Sequence, residues 1–316
     1  MDAKIFKDML LGLAIGDALG VPVEFESRKT LKIDPVVDMR DGGSWNQPVG
    51  TWSDDTSMTI AAMESISRLG KINYTDIMEN FLKWFEHDGF TATGERFDIG
   101  NTTYGAIVRF SRKLLPPIKC GATEINSNGN GALMRILPAT MYLFATRGKI
   151  AGDELKIIHE FSALTHGHII SQISCGIYSL IAAQLLNGKN IFDAFKIGMN
   201  DSKNFYGTND AFNNFSRLCD ENFATLPEEK ISSSGYVVDT LEAALWCLLN
   251  TDNYKSLALK AVNLGGDTDT VGAVAGGLAG IIYGVEDIPV DWLKNLKRRD
   301  YLEKIAENFA TVCHEQ

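Results

Sequence analysis

Apolar residues recur at helical spacing along almost the whole chain. Ile5, Met9, Leu10, Leu13 and Ala14 share one face at i, i+4, i+5 and i+8. Asp55-Thr56 leads into Met58, Ile60, Ala61, Met63, Ile66 and Leu69. Gly70 is placed to end that helix, because glycine takes a left-handed C-terminal conformation without steric cost. Ile77, Phe81, Leu82, Trp84 and Phe85 make the next face. The same periodicity predicts helices over about 101–115, 131–147, 152–164, 167–187, 191–199, 236–250, 254–264, 270–284 and 300–312. No run alternates apolar and polar residues between turn dipeptides as a half-buried strand would, and Pro35-Val36-Val37 is too short to count. The expected class is all-α. A single domain over residues 1–316 is expected, since no linker, charge block or sequence repeat divides the chain.

Two of these helices carry glycine stripes. Gly12, Gly16 and Gly20 recur every fourth residue, as do Gly272, Gly276, Gly280 and Gly284. Glycine costs about 1 kcal/mol against alanine inside a helix, so a glycine face needs compensation. Close backbone packing supplies it most simply; room for a ligand site is the other reading. Three long turn-rich loops separate the helices, Pro35 to Ser53, Gly89 to Gly100 and Pro116 to Gly131, and loops of that length in a compact domain are usually functional or disordered.

Composition narrows the function classes. With 30 basic and 40 acidic residues among 316, the formal charge is −10, so no nucleic-acid partner is expected. Ile169 to Leu186 is uncharged but interrupted by Ser171, Gln172, Ser174, Ser179 and Gln184; it reads as a buried helix, and no membrane partner is expected. The first residues lack the basic-then-apolar layout of a signal peptide. Five scattered cysteines without CxxC spacing argue against a disulfide framework. The expectation is a cytoplasmic monomer.

The chemistry-bearing residues are acidic and sit where helices begin. Ser53-Asp54-Asp55-Thr56 precedes one helix and Gly266-Asp267-Thr268-Asp269-Thr270 another. Ser, Thr and Asp are favoured N-caps, so capping explains either motif taken alone. It does not explain two carboxylates and two hydroxyls within four residues. Such clusters repel unless neutralised, and Mg²⁺ or Mn²⁺ suits carboxylate and hydroxyl ligands better than zinc. Four Asp with two hydroxyls suffice for two ions sharing a carboxylate. Asn128-Gly129-Asn130-Gly131, running into a predicted helix, offers backbone N–H groups to a phosphate-bearing ligand, although Asn-Gly pairs are also common turn formers. Asp98-Ile99-Gly100-Asn101-Thr102-Thr103 repeats the helix-start pattern with one more carboxylate. A terpenoid-synthase site would need a second-turn carboxylate that Asp54-Asp55-Thr56-Ser57-Met58 lacks.

Read together, these motifs resemble the ADP-ribosylglycohydrolase family. The matching pieces are Gly16-Asp17-Ala18-Leu19-Gly20 with Glu24, Trp52 to Thr56, Phe97 to Thr102, Asn128 to Arg135, Thr165-His166, and Gly266 to Thr270, all in the family's order. The resemblance implies an orthogonal helical bundle with two Mg²⁺ ions at the base of a cleft. Their ligands would be Ser53, Asp54, Asp55, Asp267, Asp269 and Thr270. Substrate would contact Asp98, Gly100, Asn101, Thr102, Asn128, Gly129, Asn130, Gly131 and His166; without the family, His166 reads as a structural histidine. Asp17, mid-helix among apolar residues, should be paired and support the ligands from behind.

The reaction implied is hydrolysis of the bond from ribose C1″ to a modified arginine, with oxocarbenium-like charge developing on the ribose. Glu24, Asp98 and Asp267 are the candidate acid/base groups, and the sequence does not choose among them. The implied partner is an ADP-ribosylated protein or ADP-ribose itself. A serine-linked or small-metabolite hydrolase and a non-catalytic ADP-ribose binder remain open, although a binder would be expected to have lost an acidic ligand.

Overall fold

The computed structural model describes residues 2–315. Fourteen α-helices follow one another: α1 Lys4–Gly20, α2 Arg28–Ile33, α3 Asp54–Leu69, α4 Tyr74–His87, α5 Asn101–Ser111, α6 Leu137–Arg147, α7 Gly152–Ser162, α8 Ile169–Leu186, α9 Ile191–Tyr206, α10 Val237–Leu249, α11 Tyr254–Val262, α12 Thr268–Tyr283, α13 Val290–Asn295 and α14 Arg299–His314. Short 3₁₀ turns link several of them, and three isolated bridges are the only β pairing among the described residues. The all-α expectation holds.

Local chemistry sets the helix ends. Ser53 caps α3, its side chain accepting from the Asp55 N–H, and Gly70 closes it at φ 65°. The helix expected over 131–147 is shorter than its apolar pattern suggests: residues 131–135 form turns and α6 begins at Leu137. Pro138 explains the difference. It lacks an N–H and fits a helix only in the first turn, so α6 starts just ahead of it. The helix expected over 191–199 instead continues to Tyr206. The apolar α8 is long enough to cross a membrane by composition, and 78% of it is buried within the protein.

Helices α1 and α12 form the most extensive pairing in the fold, and their glycine stripes are its contact surface. A Cβ on Gly16 would lie 2.0 Å from the Gly272 carbonyl oxygen, and one on Gly12 2.4 Å from that of Gly276. At Gly20 the stripe reaches the site, since a Cβ there would lie 2.3 Å from the Asp269 Cα. Close packing therefore accounts for the stripes and also places the acidic end of α12 against α1. Hydroxyls tie the crossing to its surroundings: Tyr254 donates to the Gly12 carbonyl (2.5 Å) and Thr268 to that of Gly20 (2.8 Å).

Gly16→Ala is expected to destabilise the protein by about 2 kcal/mol or more, the overpacking cost exceeding the helix-propensity gain. Gly152→Ala, at a position with no atom within 4 Å of the new Cβ, should change stability by less than about 1 kcal/mol. Denaturant unfolding of both variants checks the contrast.

Candidate active site

Two helix starts and one helix interior meet at the α1–α12 crossing. Asp17, fully buried in α1, accepts the Ser53 N–H (2.9 and 3.0 Å), the Thr56 N–H (3.1 Å) and the Thr56 hydroxyl (2.6 Å). It thereby satisfies donors in the first turn of α3 that would otherwise be orphaned. This is the pairing expected for a mid-helix carboxylate, and it holds Asp55 toward Asp269 and Thr270 of α12.

The other acidic side chains decline the capping role that their positions invite. Asp267 is the N-cap residue of α12 but makes no cap bond; its Oδ2 accepts from Asn130 Nδ2 at 2.9 Å. Asp98 lies ahead of α5, whose N-cap is Gly100 with no side-chain bond. Asp269 bonds the residue that follows it, its Oδ1 accepting from the Thr270 N–H at 2.9 Å.

Two groups of carboxylates result, each with ligand atoms mutually within 4.8 Å: Asp17, Asp55 and Asp269, and Glu24, Asp98 and Asp269. Asp269 belongs to both. Ser53 Oγ donates to Asp55 Oδ2 (3.0 Å), and Thr270 Oγ1 reaches the same oxygen at 3.4 Å. No basic side chain among the described residues forms an ion pair with any of these acids.

Burial and mutual repulsion raise their proton affinities. Burial first, then Asp98, Asp17 and Glu24, lift Asp54 well above the carboxylate range. Burial lifts Asp55 likewise, with Asp17 and Asp54 adding to it, and burial with Glu24 and Asp267 does so for Asp269. Burial dominates at Asp17, which reaches about 7 against the hydrogen bonds that favour its charge. Glu24 is pushed to about 8 by burial and Asp98, and Asp98 to about 6 by burial and Asp267. Asp55 Oδ1 and Asp269 Oδ2 are buried oxygens with no hydrogen-bond partner. An all-oxygen set with orphaned, mutually repelling acceptors fits hard divalent cations.

The Asn-Gly loop differs from the sequence expectation. It runs into turns and not into a helix N-terminus, and the Asn130 N–H is already bonded to the Gly235 carbonyl (3.1 Å). Asn128 faces inward, accepting from Ser171 Oγ (2.9 Å) and donating to the Ile125 carbonyl (2.9 Å). Gly129 and Gly131 instead leave room beside His166: a Cβ on Gly131 would lie 3.0 Å from its Cε1. Gly100 and Asn101 are exposed and Thr102 half-buried at the start of α5.

His166 belongs to a buried relay that the sequence reading missed. Arg135, fully buried between the rings of Phe81 and Phe161, donates to Thr165 Oγ1 at 2.6 Å. Thr165 Oγ1 lies 2.8 Å from His166 Nδ1. Arginine can only donate, so the threonine proton is free to serve Nδ1, leaving the ring proton on Nε2, toward Gly129 and Gly131. Burial, with Arg135 adding repulsion, lowers His166 to about 3, which keeps the ring neutral. Trp45 was also missed. Its Nε1 donates to the Glu24 carboxylate from the long loop before α3, and no motif surrounds it.

The profile described as ADP-ribosylglycohydrolase matches residues 3–316. The chain belongs to the ADP-ribosylglycohydrolase family. It is 34% identical to "ADP-ribosylarginine hydrolase Tri1" of Serratia proteamaculans over 98% of this chain and 80% of that one. It is 32% identical to "ADP-ribosyl-[dinitrogen reductase] glycohydrolase" of Rhodospirillum rubrum, over 90% of this chain and 88% of that one. A solved structure titled "ADP-ribosylglycohydrolase-related protein complex" superposes with a TM-score of 0.82 at 30% identity, covering 98% of both chains. The chain is thus a glycohydrolase, as its motifs suggested.

The raised carboxylates yield a pH prediction for the metal-free protein. A folded pKa above the unfolded one gives stability that is full below about 4 and lost as pH rises through about 6 to 8. In EDTA, the melting temperature should fall between about pH 5 and about pH 8.5, and a saturating divalent cation should abolish most of that fall. Thermal melts across pH with and without Mg²⁺ check it.

Proposed function

We propose that this glycohydrolase is a Mg²⁺-dependent ADP-ribosylarginine hydrolase, holding two ions through Ser53, Asp54, Asp55, Asp267, Asp269 and Thr270. The observation that carries the reading is the approach of Asp55 and Asp269 from two different helices, each with a buried oxygen left unpartnered. The arginine linkage draws support from the relatives, two of which have names that place their activity on ADP-ribosylated arginine or dinitrogen reductase. The bond broken is ribose C1″ to a guanidino nitrogen; water supplies hydroxyl to C1″ and a proton to the leaving nitrogen. Bound cations would supply Lewis acidity at the ribose hydroxyls and at water.

This chain's own residues divide the remaining work. Glu24, oriented by Trp45, handles a proton; its raised affinity lies in the range where a carboxyl group both gives and takes one near neutral pH. Asp98, half-buried at the edge, grips the guanidinium through paired N–H donors. Asp267 is held by Asn130 and serves as a ligand rather than a proton carrier. His166 presents Nε2–H toward the Gly129–Gly131 side, where the diphosphate is placed.

ADP-ribose release from matched arginine-linked and serine-linked substrates, with Mg²⁺ or Mn²⁺ and with EDTA, tests the proposal. Cation-dependent release from the arginine substrate is expected. Release only from the serine substrate would move the linkage, and release from neither would favour a binder. Asp269→Asn should lower turnover by more than about a hundredfold, the upper end of the cost of losing an outer partner, with an unchanged helical CD spectrum. Retained turnover in that variant would sink the two-ion reading.

A further inference from the structure

Three aromatic rings stand beside the Glu24–Asp98 pair, outside the hydrophobic core. Phe25 and Trp45 have ring centroids 6.4 Å apart at 59°, and Trp45 and Phe97 5.8 Å apart at 47°. They come from three separate segments, after α1, before α3 and before α5. Each adjoins a site carboxylate: Phe25 follows Glu24, Phe97 precedes Asp98, and Trp45 donates to Glu24.

Phe25 is the most telling. The residue is 65% exposed, so folding gains little from its apolar area. Its backbone sits at φ 70°, a conformation that glycine or asparagine adopts with less strain than an aromatic residue. Reciprocal bonds hold it there: the Phe25 N–H donates to the Gly266 carbonyl and the Gly266 N–H to that of Glu26, each at 2.8 Å. The fold keeps an exposed aromatic ring in a costly conformation at the rim of an acidic site.

We propose that Phe25, Trp45 and Phe97 form the wall that receives the acceptor arginine, stacking on the face of its guanidinium while Asp98 and Glu24 meet its edge. A guanidinium is planar and cationic; its N–H donors lie in the plane and its faces are free, so aromatic stacking and carboxylate pairing are compatible. A serine-linked acceptor has neither a flat face nor a charge and gains nothing from the rings. The wall makes Phe25 and Phe97 specificity-determining residues. The inference rests on the arginine reading above.

The test compares the parent with Phe25→Leu, Phe97→Leu, the double Leu variant and Phe25→Tyr. Each is assayed on an ADP-ribosylarginine peptide, with free ADP-ribose as product inhibitor and a thermal melt to verify folding. The Leu variants should raise KM about tenfold with kcat within about twofold, while the Tyr variant stays near the parent. The inhibition constant for ADP-ribose should not change, since it lacks the acceptor. Parental KM in the double Leu variant would overturn the proposal. An inhibition constant that rises in step with KM would also overturn it, by assigning the rings to adenosine. A parent that releases nothing from the arginine peptide removes the arginine reading itself, before any variant is measured.

Discussion

The Asp17 carboxylate, set in the middle of α1, accepts two backbone N–H groups and a hydroxyl from the start of α3. Hydrogen bonds to a carboxylate are stronger than those between neutral groups, and a cap that comes from another helix fixes orientation as well as satisfying donors. Because α1 is itself pressed backbone to backbone on α12, three helices are located by one side chain and one glycine seam. Asp55 and Asp269 come within ligand distance as a consequence of that geometry. Neither belongs to the helix that brings them together.

The site is electrostatically incomplete without cations. Buried polar groups in stable proteins are almost always partnered, yet Asp55 Oδ1 and Asp269 Oδ2 are not. The neighbours that might have neutralised them are further carboxylates, which raise one another's proton affinity. Such an arrangement costs stability in the absence of a ligand and offers a high-charge cradle in its presence. The contrast with Arg135 is instructive. That buried cation lies between two aromatic faces and donates to Thr165, which in turn bonds His166, and it pairs with none of the acids.

What could be read in the sequence was local. Glycines at every fourth position, a Ser-Asp-Asp start and an Asp-Thr-Asp-Thr start are visible because helix periodicity and capping are short-range rules. The seam between Gly16 and Gly272 spans more than two hundred residues, and nothing in either stripe names its partner. The onset of α6 was misplaced because apolar spacing outweighed Pro138, whose geometry decides the start. That the Gly235 carbonyl takes one of the Asn-Gly loop's donors, the Asn130 N–H, depends on a segment a hundred residues away and is invisible in the motif. Trp45 and Phe25 carried no motif at all; their placement depends on loops closing over a site that only the folded chain creates.

The reciprocal bonds between Phe25, Glu26 and Gly266 join two segments of different standing. One carries Glu24 and the exposed ring; the other carries Asp267 and leads into α12. Neither segment can swing away without breaking both bonds, so a displacement of the Phe25 rim is also a displacement of the Asp267 segment. Any movement of the rim is transmitted to the acidic start of α12, and any tightening there is felt at the rim.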